Sequence, residues 1–210
     1  MIWYKVILAL FISYLIGSFQ SSYLMCKIFK HIDIREHGSG NPGATNVMRV
    51  CGFKFGFLVL FMDAVKGALA VLLVKYGFHC DNVAIQLFAG LASVLGHNFP
   101  FYLGFKGGKG VASTLGIMLV INWKVFLLAG VPALIVLLVT RIMSIASLTF
   151  GTMIVIAVAV FYFSSGNFVA ILIAAACYPL MMFYRHRQNI RRLINKEEKP
   201  LWEWKKKDKE

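Results

Sequence analysis

Apolar residues gather into long stretches along the 210-residue chain, at roughly 3–26, 55–74, 83–100, 110–121, 125–140, 145–163 and 167–184. None alternates as a strand would, and most approach the roughly 20 residues that a bilayer-spanning helix uses. The fourth, 110–121, is short; it needs tilt, or the neighbouring glycine-rich stretch must lie within the membrane boundary. The pattern predicts an all-α, polytopic integral membrane protein with about seven transmembrane helices. Six spans and a re-entrant piece are the alternative. The first run follows a single Lys5, is too long for the apolar part of a signal peptide, and lacks a clear cleavage site, so it reads as an uncleaved first span. The halves do not mirror each other as inverted transporter repeats do. Residues 1–210 read as one membrane-embedded domain, with 193–210 as a basic tail.

Charge then orients the chain. One set of gaps holds Lys27, Lys30, Arg35, Arg49, Lys54, Lys106, Lys109, Arg141 and ten more Lys or Arg from Arg185 on; the other holds Lys5, Lys75 and Lys124. Positive residues stay on the cytoplasmic side. Eighteen against three therefore predicts an outside N-terminus and a cytoplasmic C-terminus for seven spans. Trp3 and Trp123 fall near the outer boundary, where indoles prefer to sit. The outer connections (76–82, 121–124, 164–167) are short and the inner ones long and polar, which places the chemistry in the cytoplasmic loops.

Composition narrows the function classes. At 59% apolar residues and a mean hydropathy of +0.73, the chain lacks the polar share that a soluble enzyme of this size needs. The net charge of +13 would suggest nucleic acid in a soluble protein. In a membrane protein it reads as basic loops facing anionic lipid, and no nucleic acid is expected. Cys26, Cys51, Cys80 and Cys177 are scattered without a CxxC pair, which argues against zinc or disulfides.

Two loops carry an unusual density of chemistry. Residues 37–49 read HGSGNPGATNVMR. Gly38, Gly40 and Gly43 formally match GxGxxG, but that motif needs a strand before it and a soluble βαβ unit around it. The physics of glycine still applies: backbone without Cβ can approach a ligand, and successive N–H groups can cup an anion. Ser39 and Thr45 add hydroxyls, and Arg49 adds a fork that matches phosphate. A plain turn between helices needs only a few residues. Residues 96–113 read GHNFPFYLGFKGGKGVAS. Walker A requires GK followed by Ser or Thr, and Gly110 follows Lys109, so ATP hydrolysis is disfavoured. What survives is a glycine-rich loop with a lysine opening a helix, whose N-terminus carries positive partial charge. A flexible basic loop beside lipid headgroups is the plainer alternative.

Further candidates are less specific. Arg141 to Ser147 form a short cytoplasmic turn in which Arg141 either snorkels or serves a site. His186 and Asn189, three apart, would share a helix face, within basic residues that otherwise read as anchors after a last span. Asp63 and Lys66 lie inside the second span and can pair. Such residues are architectural, support a site, or mark a proton path. No acidic set for Mg²⁺, no His with Asp five residues on, and no G-x-S-x-G elbow is present. His31 with Glu36 is a near miss in a charged segment. Two cationic glycine loops on one membrane face point to a phosphate-bearing ligand, and the embedded body to an acyl or lipid co-substrate. A transporter for an organic phosphate is the alternative, favoured by Asp63 and Lys66. A membrane scaffold that binds anionic lipid through its tail would leave the two loops unexplained.

SGNPGATNVMR (39–49), GHNFPFYLGFKGGKGVAS (96–113) and HRQNIRRL with its following Glu (186–197) are similar to the three motifs of the PlsY family, bacterial membrane glycerol-3-phosphate acyltransferases that use acyl phosphate as donor. Length, number of spans and motif order agree over almost the whole chain. Ser113 stands where the family pattern leads one to expect Thr, and 201–210, rich in Trp and Lys, matches no motif. The resemblance implies a reaction of acyl phosphate with the 1-hydroxyl of sn-glycerol 3-phosphate. The products would be lysophosphatidate and phosphate, in the first acylation of phospholipid synthesis. It also implies the bacterial cytoplasmic (inner) membrane, no cofactor, no metal, and functional coupling to an enzyme that makes acyl phosphate.

On that basis Ser39, Arg49, Lys109, His186 and Asn189 are expected to be catalytic. Gly40, Asn41, Gly43, Thr45, Asn46, His97, Gly107, Gly108, Gly110 and Ser147 are expected to bind substrate or phosphate. Backbone N–H groups of 39–45 and 107–110 would hold the donor phosphate, and Ser147 would add a hydroxyl. The proton would pass to His97, to His186 or to a substrate phosphate. The last is preferred, because neither histidine has an evident carboxylate orienter in the sequence.

Overall fold

The computed structural model describes residues 2–201; 202–210, most of the Trp- and Lys-rich end, lie outside the described residues. Those described contain helices and no strand. In chain order the α-helices are α1 (Trp3–Ser18), α2 (Ser21–Lys30), α3 (Ala44–Cys51), α4 (Phe53–Leu72), α5 (Val83–Asn98), α6 (Val111–Ile121), α7 (Trp123–Thr140), α8 (Met143–Tyr162), α9 (Phe168–Arg185) and α10 (Arg187–Ile194).

Six helical stretches among the described residues are long and apolar enough to cross a bilayer: Trp3–Lys30, Phe53–Gly77, Val83–Leu103, Trp123–Thr140, Met143–Tyr162 and Phe168–Arg185. The chain is thus a multi-pass membrane protein. The expected fourth span, α6, has 11 residues. At 1.5 Å per residue it reaches only about half of a ~30 Å hydrocarbon core. It lies against α4 so closely that Cβ atoms on Gly67 and Gly116 would meet the carbonyl oxygens of Ser113 and Ala64 at 2.2 and 1.9 Å. Between apolar helices in lipid, such small-residue contacts replace the hydrophobic effect as the source of packing energy. The apolar centre is built from α5, α6, α8 and α9, with Leu87, Ile117, Phe150, Ile154, Ile171 and Tyr178 buried in it. The Tyr178 hydroxyl donates to the Leu87 carbonyl at 2.7 Å, over Gly90.

The first span, expected as one run over 3–26, is broken at Phe19 and Gln20. A break inside lipid is tolerated only where protein satisfies the released backbone groups, and here Ser18 O, Phe19 O and Gln20 N are met. Tyr102 Oη donates to Ser18 O at 2.9 Å and accepts from Gln20 N at 3.1 Å. Lys66 Nζ donates to Phe19 O at 2.6 Å. Gln20 Nε2 reaches across to His97 O at 2.9 Å. Ser18, Gln20, Ser21 and Ser22 are the sequence signal for the break. Tyr102→Phe strips partners from Ser18 O and Gln20 N, and a buried polar group left without a partner costs roughly 1–3 kcal/mol. A lowered thermal midpoint in detergent is expected, read by the unfolding transition, with substrate affinity unchanged.

Candidate active site

Both glycine loops and the third motif meet at one end of the bundle around a cavity of about 310 Å³. Ser39, Asn41, Gly43, Thr45, Asn46, Arg49, His97, Lys109, Gly110, Ser147, His186 and Asn189 all line it. The apolar part of its wall is Met48, Leu60, Val111, Leu115 and Met143, from α3, α4, α6 and α8.

The 37–49 loop folds on Asn46. Its Oδ1 accepts from Ser39 N at 2.8 Å, and its Nδ2 donates to His37 O and Ile34 O at 2.9 and 3.2 Å. The amide is buried and fully spent on the loop, so Asn46 shapes the site. Gly40 N turns back to His37 O and Gly43 N to Asn41 O. What faces the cavity is the start of α3, at Ala44 and Thr45, where no side chain caps the helix. Its first N–H groups have no partner within the helix. The same holds for α6, whose uncapped start at Val111 and Ala112 lines the opposite wall behind Gly110. Two helix N-termini aimed at one cavity give it the positive partial charge that suits an anion.

The 107–110 loop corrects the sequence expectation. Gly107 N and Gly108 N already donate to Asn98 O and His97 O, both at 3.1 Å. Their carbonyls accept from Arg185, at 2.6 and 3.0 Å, while the guanidinium lies over the Phe99 ring. These two glycines are therefore clamped between the ends of α5 and α9 and present no donor to a phosphate. Gly107 and Gly40 line a second, neighbouring cavity, and Gly108 lines neither. Gly108 is needed for closeness: a Cβ there would stand 2.1 Å from His97 Nε2. The clamp sets the direction of the next residue, Lys109, whose ammonium donates to Asn189 Oδ1.

Around Lys109 the third motif supplies a polar ring centred on Glu198, one residue beyond the Glu197 at which the sequence motif ends. Its carboxylate accepts from Asn189 Nδ2 and Arg192 Nε, both at 2.6 Å, and from Ser144 Oγ at 3.0 Å. These bonds hold the Glu198 carboxyl below its usual range, against the opposing effect of burial. Beyond it, Leu201 N donates to Arg141 O at 2.8 Å, so the chain after α10 straps across the α7–α8 turn. Ser144, in the first turn of α8, joins the ring. Ser147 lines the cavity, yet its hydroxyl donates to Met143 O at 2.8 Å, so the donor expected from it is already used. His186 Nδ1 lies 2.8 Å from Met182 O. Only an N–H can make that bond to a carbonyl, which leaves Nε2 with its lone pair. Burial, and then the Lys109 charge, push this imidazole down to about 4, so it is neutral at pH 7. Burial also lowers Lys109, to about 8, with Glu198 opposing and Arg192, Arg49 and Arg185 adding to the shift.

A multi-pass helical membrane protein with a cationic cavity, walled on one side by apolar side chains, is the class that this fold and site define. A family model described as glycerol-3-phosphate acyltransferase matches residues 7–196. The chain belongs to the glycerol-3-phosphate acyltransferase family. A relative of that name from Lactiplantibacillus plantarum is 44% identical over 91% of this chain and 89% of its own. One from Aquifex aeolicus is 40% identical over 92% of this chain and 98% of its own. The crystal structure of PlsY (YgiH), an integral membrane glycerol 3-phosphate acyltransferase, in its glycerol 3-phosphate form superposes with a TM-score of 0.83 at 38% identity, covering 93% of this chain and 95% of that one. Its lysophosphatidic acid form gives 0.81 over the same shares.

Proposed function

We propose that this protein transfers an acyl group from acyl phosphate to the 1-hydroxyl of sn-glycerol 3-phosphate, giving lysophosphatidate and inorganic phosphate. The observation that carries the reading is the meeting of two uncapped helix starts, Arg49 and Lys109 in one cavity that also has an apolar wall. Both substrates bring phosphate for the cationic side, and the donor brings a chain for Met48, Leu60 and Leu115. The site faces the cytoplasm of a bacterial inner membrane, where the Lys and Arg of the loops lie. There it draws on an enzyme that makes acyl phosphate.

The starts of α3 and α6, with Ser39 and Lys109, hold the donor phosphate. Arg49 and Lys109 orient glycerol 3-phosphate, and His186 and Asn189 close the site. The 1-hydroxyl oxygen attacks the acyl carbon. A C–O bond forms there, and the bond from that carbon to the phosphate oxygen breaks with its electron pair leaving on phosphate. Lys109 neutralises the charge that develops. The hydroxyl proton ends on phosphate, whose second pKa, like the roughly 6 of a phosphorylated side chain, suits neutral pH. His186 Nε2 can accept a hydrogen bond from the hydroxyl, but an imidazole this hard to protonate is a poor terminal base. The mixed anhydride is already activated, so neither ATP, CoA nor metal is invoked. The transporter alternative leaned on Asp63 and Lys66, and Lys66 is tied to the break in the first span.

Protein purified in detergent, given acyl phosphate and labelled glycerol 3-phosphate, should release phosphate in step with lysophosphatidate. Acylation only from a thioester donor, or uptake into vesicles without product, would refute the reading. The titration of Lys109 adds a pH prediction. As pH rises through about 8, the unliganded protein loses this ammonium. Since kcat/KM reports the free enzyme, it should fall about tenfold per pH unit above that point. Lys109→Arg should abolish this alkaline limb, because guanidinium does not titrate there. Initial rates at low substrate across the range decide it.

A further inference from the structure

The reaction scheme leaves one buried ionic group unused. Asp63 and Lys66 on α4 meet His97 on α5 and Ser21 on α2, all four buried. Lys66 Nζ has three acceptors around it: Phe19 O at 2.6 Å, Asp63 Oδ1 at 2.8 Å and His97 Nδ1 at 2.8 Å. An ammonium donates three times and accepts nothing. His97 Nδ1 is therefore the bare, accepting nitrogen. Its other candidate partner, Asp63 Oδ1, is 3.6 Å away, beyond a hydrogen bond. A neutral imidazole with Nδ1 bare carries its proton on Nε2. That nitrogen has no hydrogen-bond partner among the described residues, while the ring lines the cavity and abuts Gly108 beside Lys109.

We propose that Lys66 is a positioning residue that fixes His97 as the Nε2–H tautomer, so that the ring offers a donor, never a base, to a phosphate oxygen in the cavity. Asp63, held in turn by Ser21 Oγ at 2.7 Å, keeps Lys66 charged and aimed. The identity of that oxygen, on the acyl phosphate as it departs, rests on the acyl-transfer reading above; the tautomer does not.

The test is ¹⁵N NMR of histidine-labelled protein in detergent at pH 7, with the His97 signals assigned by their loss in His97→Gln. A proton on Nε2 and none on Nδ1 is expected. A proton on Nδ1, or on both nitrogens, overturns the proposal. Asp63→Asn removes the charge that keeps Lys66 protonated; some neutral amine able to accept from Nδ1–H should form, so a minor Nδ1–H signal and a kcat lower by about tenfold are expected. Lys66→Met combined with Asp63→Asn removes both charges together, so neither is stranded. It should show both tautomers and a kcat lower by about 10–100-fold, with KM for both substrates changed less than about threefold. A mixed tautomer with kcat retained would overturn the positioning role. Should the double variant fail to fold, the wild-type and Asp63→Asn spectra still decide the tautomer. Failure of the acyl-transfer reading would appear separately, as wild-type protein that makes no lysophosphatidate.

Discussion

Lys109→Ala is expected to lower kcat/KM by about 10²–10³, the usual loss when one preorganised donor to a developing charge is removed, while the protein stays folded. The fold should survive because the loop does not depend on the ammonium. Gly107 and Gly108 are held by the carbonyls of Asn98 and His97 on one side and by Arg185 on the other. Glu198 keeps its bonds from Arg192, Asn189 and Ser144. Among the described residues, what is lost is the one ammonium of the cationic side chains of the cavity wall, placed between the start of α6 and the Asn189 amide. Arg49→Ala should act in the same direction, since its guanidinium lines the same cavity from α3. Steady-state kinetics with both substrates, alongside a thermal melt, measure this. Turnover within about threefold of wild type in both variants would remove these residues from the mechanism.

The body of the fold was legible because lipid imposes a blunt rule, a long apolar run for each crossing helix. The three motifs were legible because glycine and charge are rare between such runs. What stayed hidden depends on who meets whom. The break at Phe19 and Gln20 is stabilised from Tyr102 and Lys66, far along the chain. Arg185 sits in a basic run after a span, where nothing in the sequence separates a loop clamp from a headgroup anchor. Glu198 and Glu197 are adjacent, and only the path of the chain after α10 decides which one turns inward. The glycines of 107–108 carried the right signal with the wrong use. In the sequence their lack of a side chain suggests room for phosphate, whereas in the structure it makes room for the end of α5, the His97 ring at Gly108 and the His97 carbonyl at Gly107.

That difference has a consequence for Gly108→Ala, which should cost about a hundredfold in kcat although Gly108 lines neither cavity. A Cβ there would lie 2.1, 2.8 and 3.0 Å from Nε2, Cε1 and Cδ2 of His97, and so press on the ring itself. The ring has little freedom to yield. Lys66 holds its Nδ1, and the His97 carbonyl is bound by Gln20 and by Gly108 N itself. The 107–108 segment must then peel away from Arg185 or the imidazole must leave Lys66. The first movement displaces Lys109, the very next residue, and the second displaces the His97 ring that lines the cavity; a shift of about 1 Å in a positioning group is enough for a loss of about 10². Gly104→Ala is the matched control on the same loop. Its φ of +63° makes alanine strained there, yet no atom lies within 4 Å of the added Cβ. It should cost stability of about 1–2 kcal/mol and leave kcat within about threefold. Equal losses of activity in the two variants would mean that the loop is merely fragile. A wild-type rate in Gly108→Ala would mean that the ring and the loop move independently, and that the clamp does not aim Lys109.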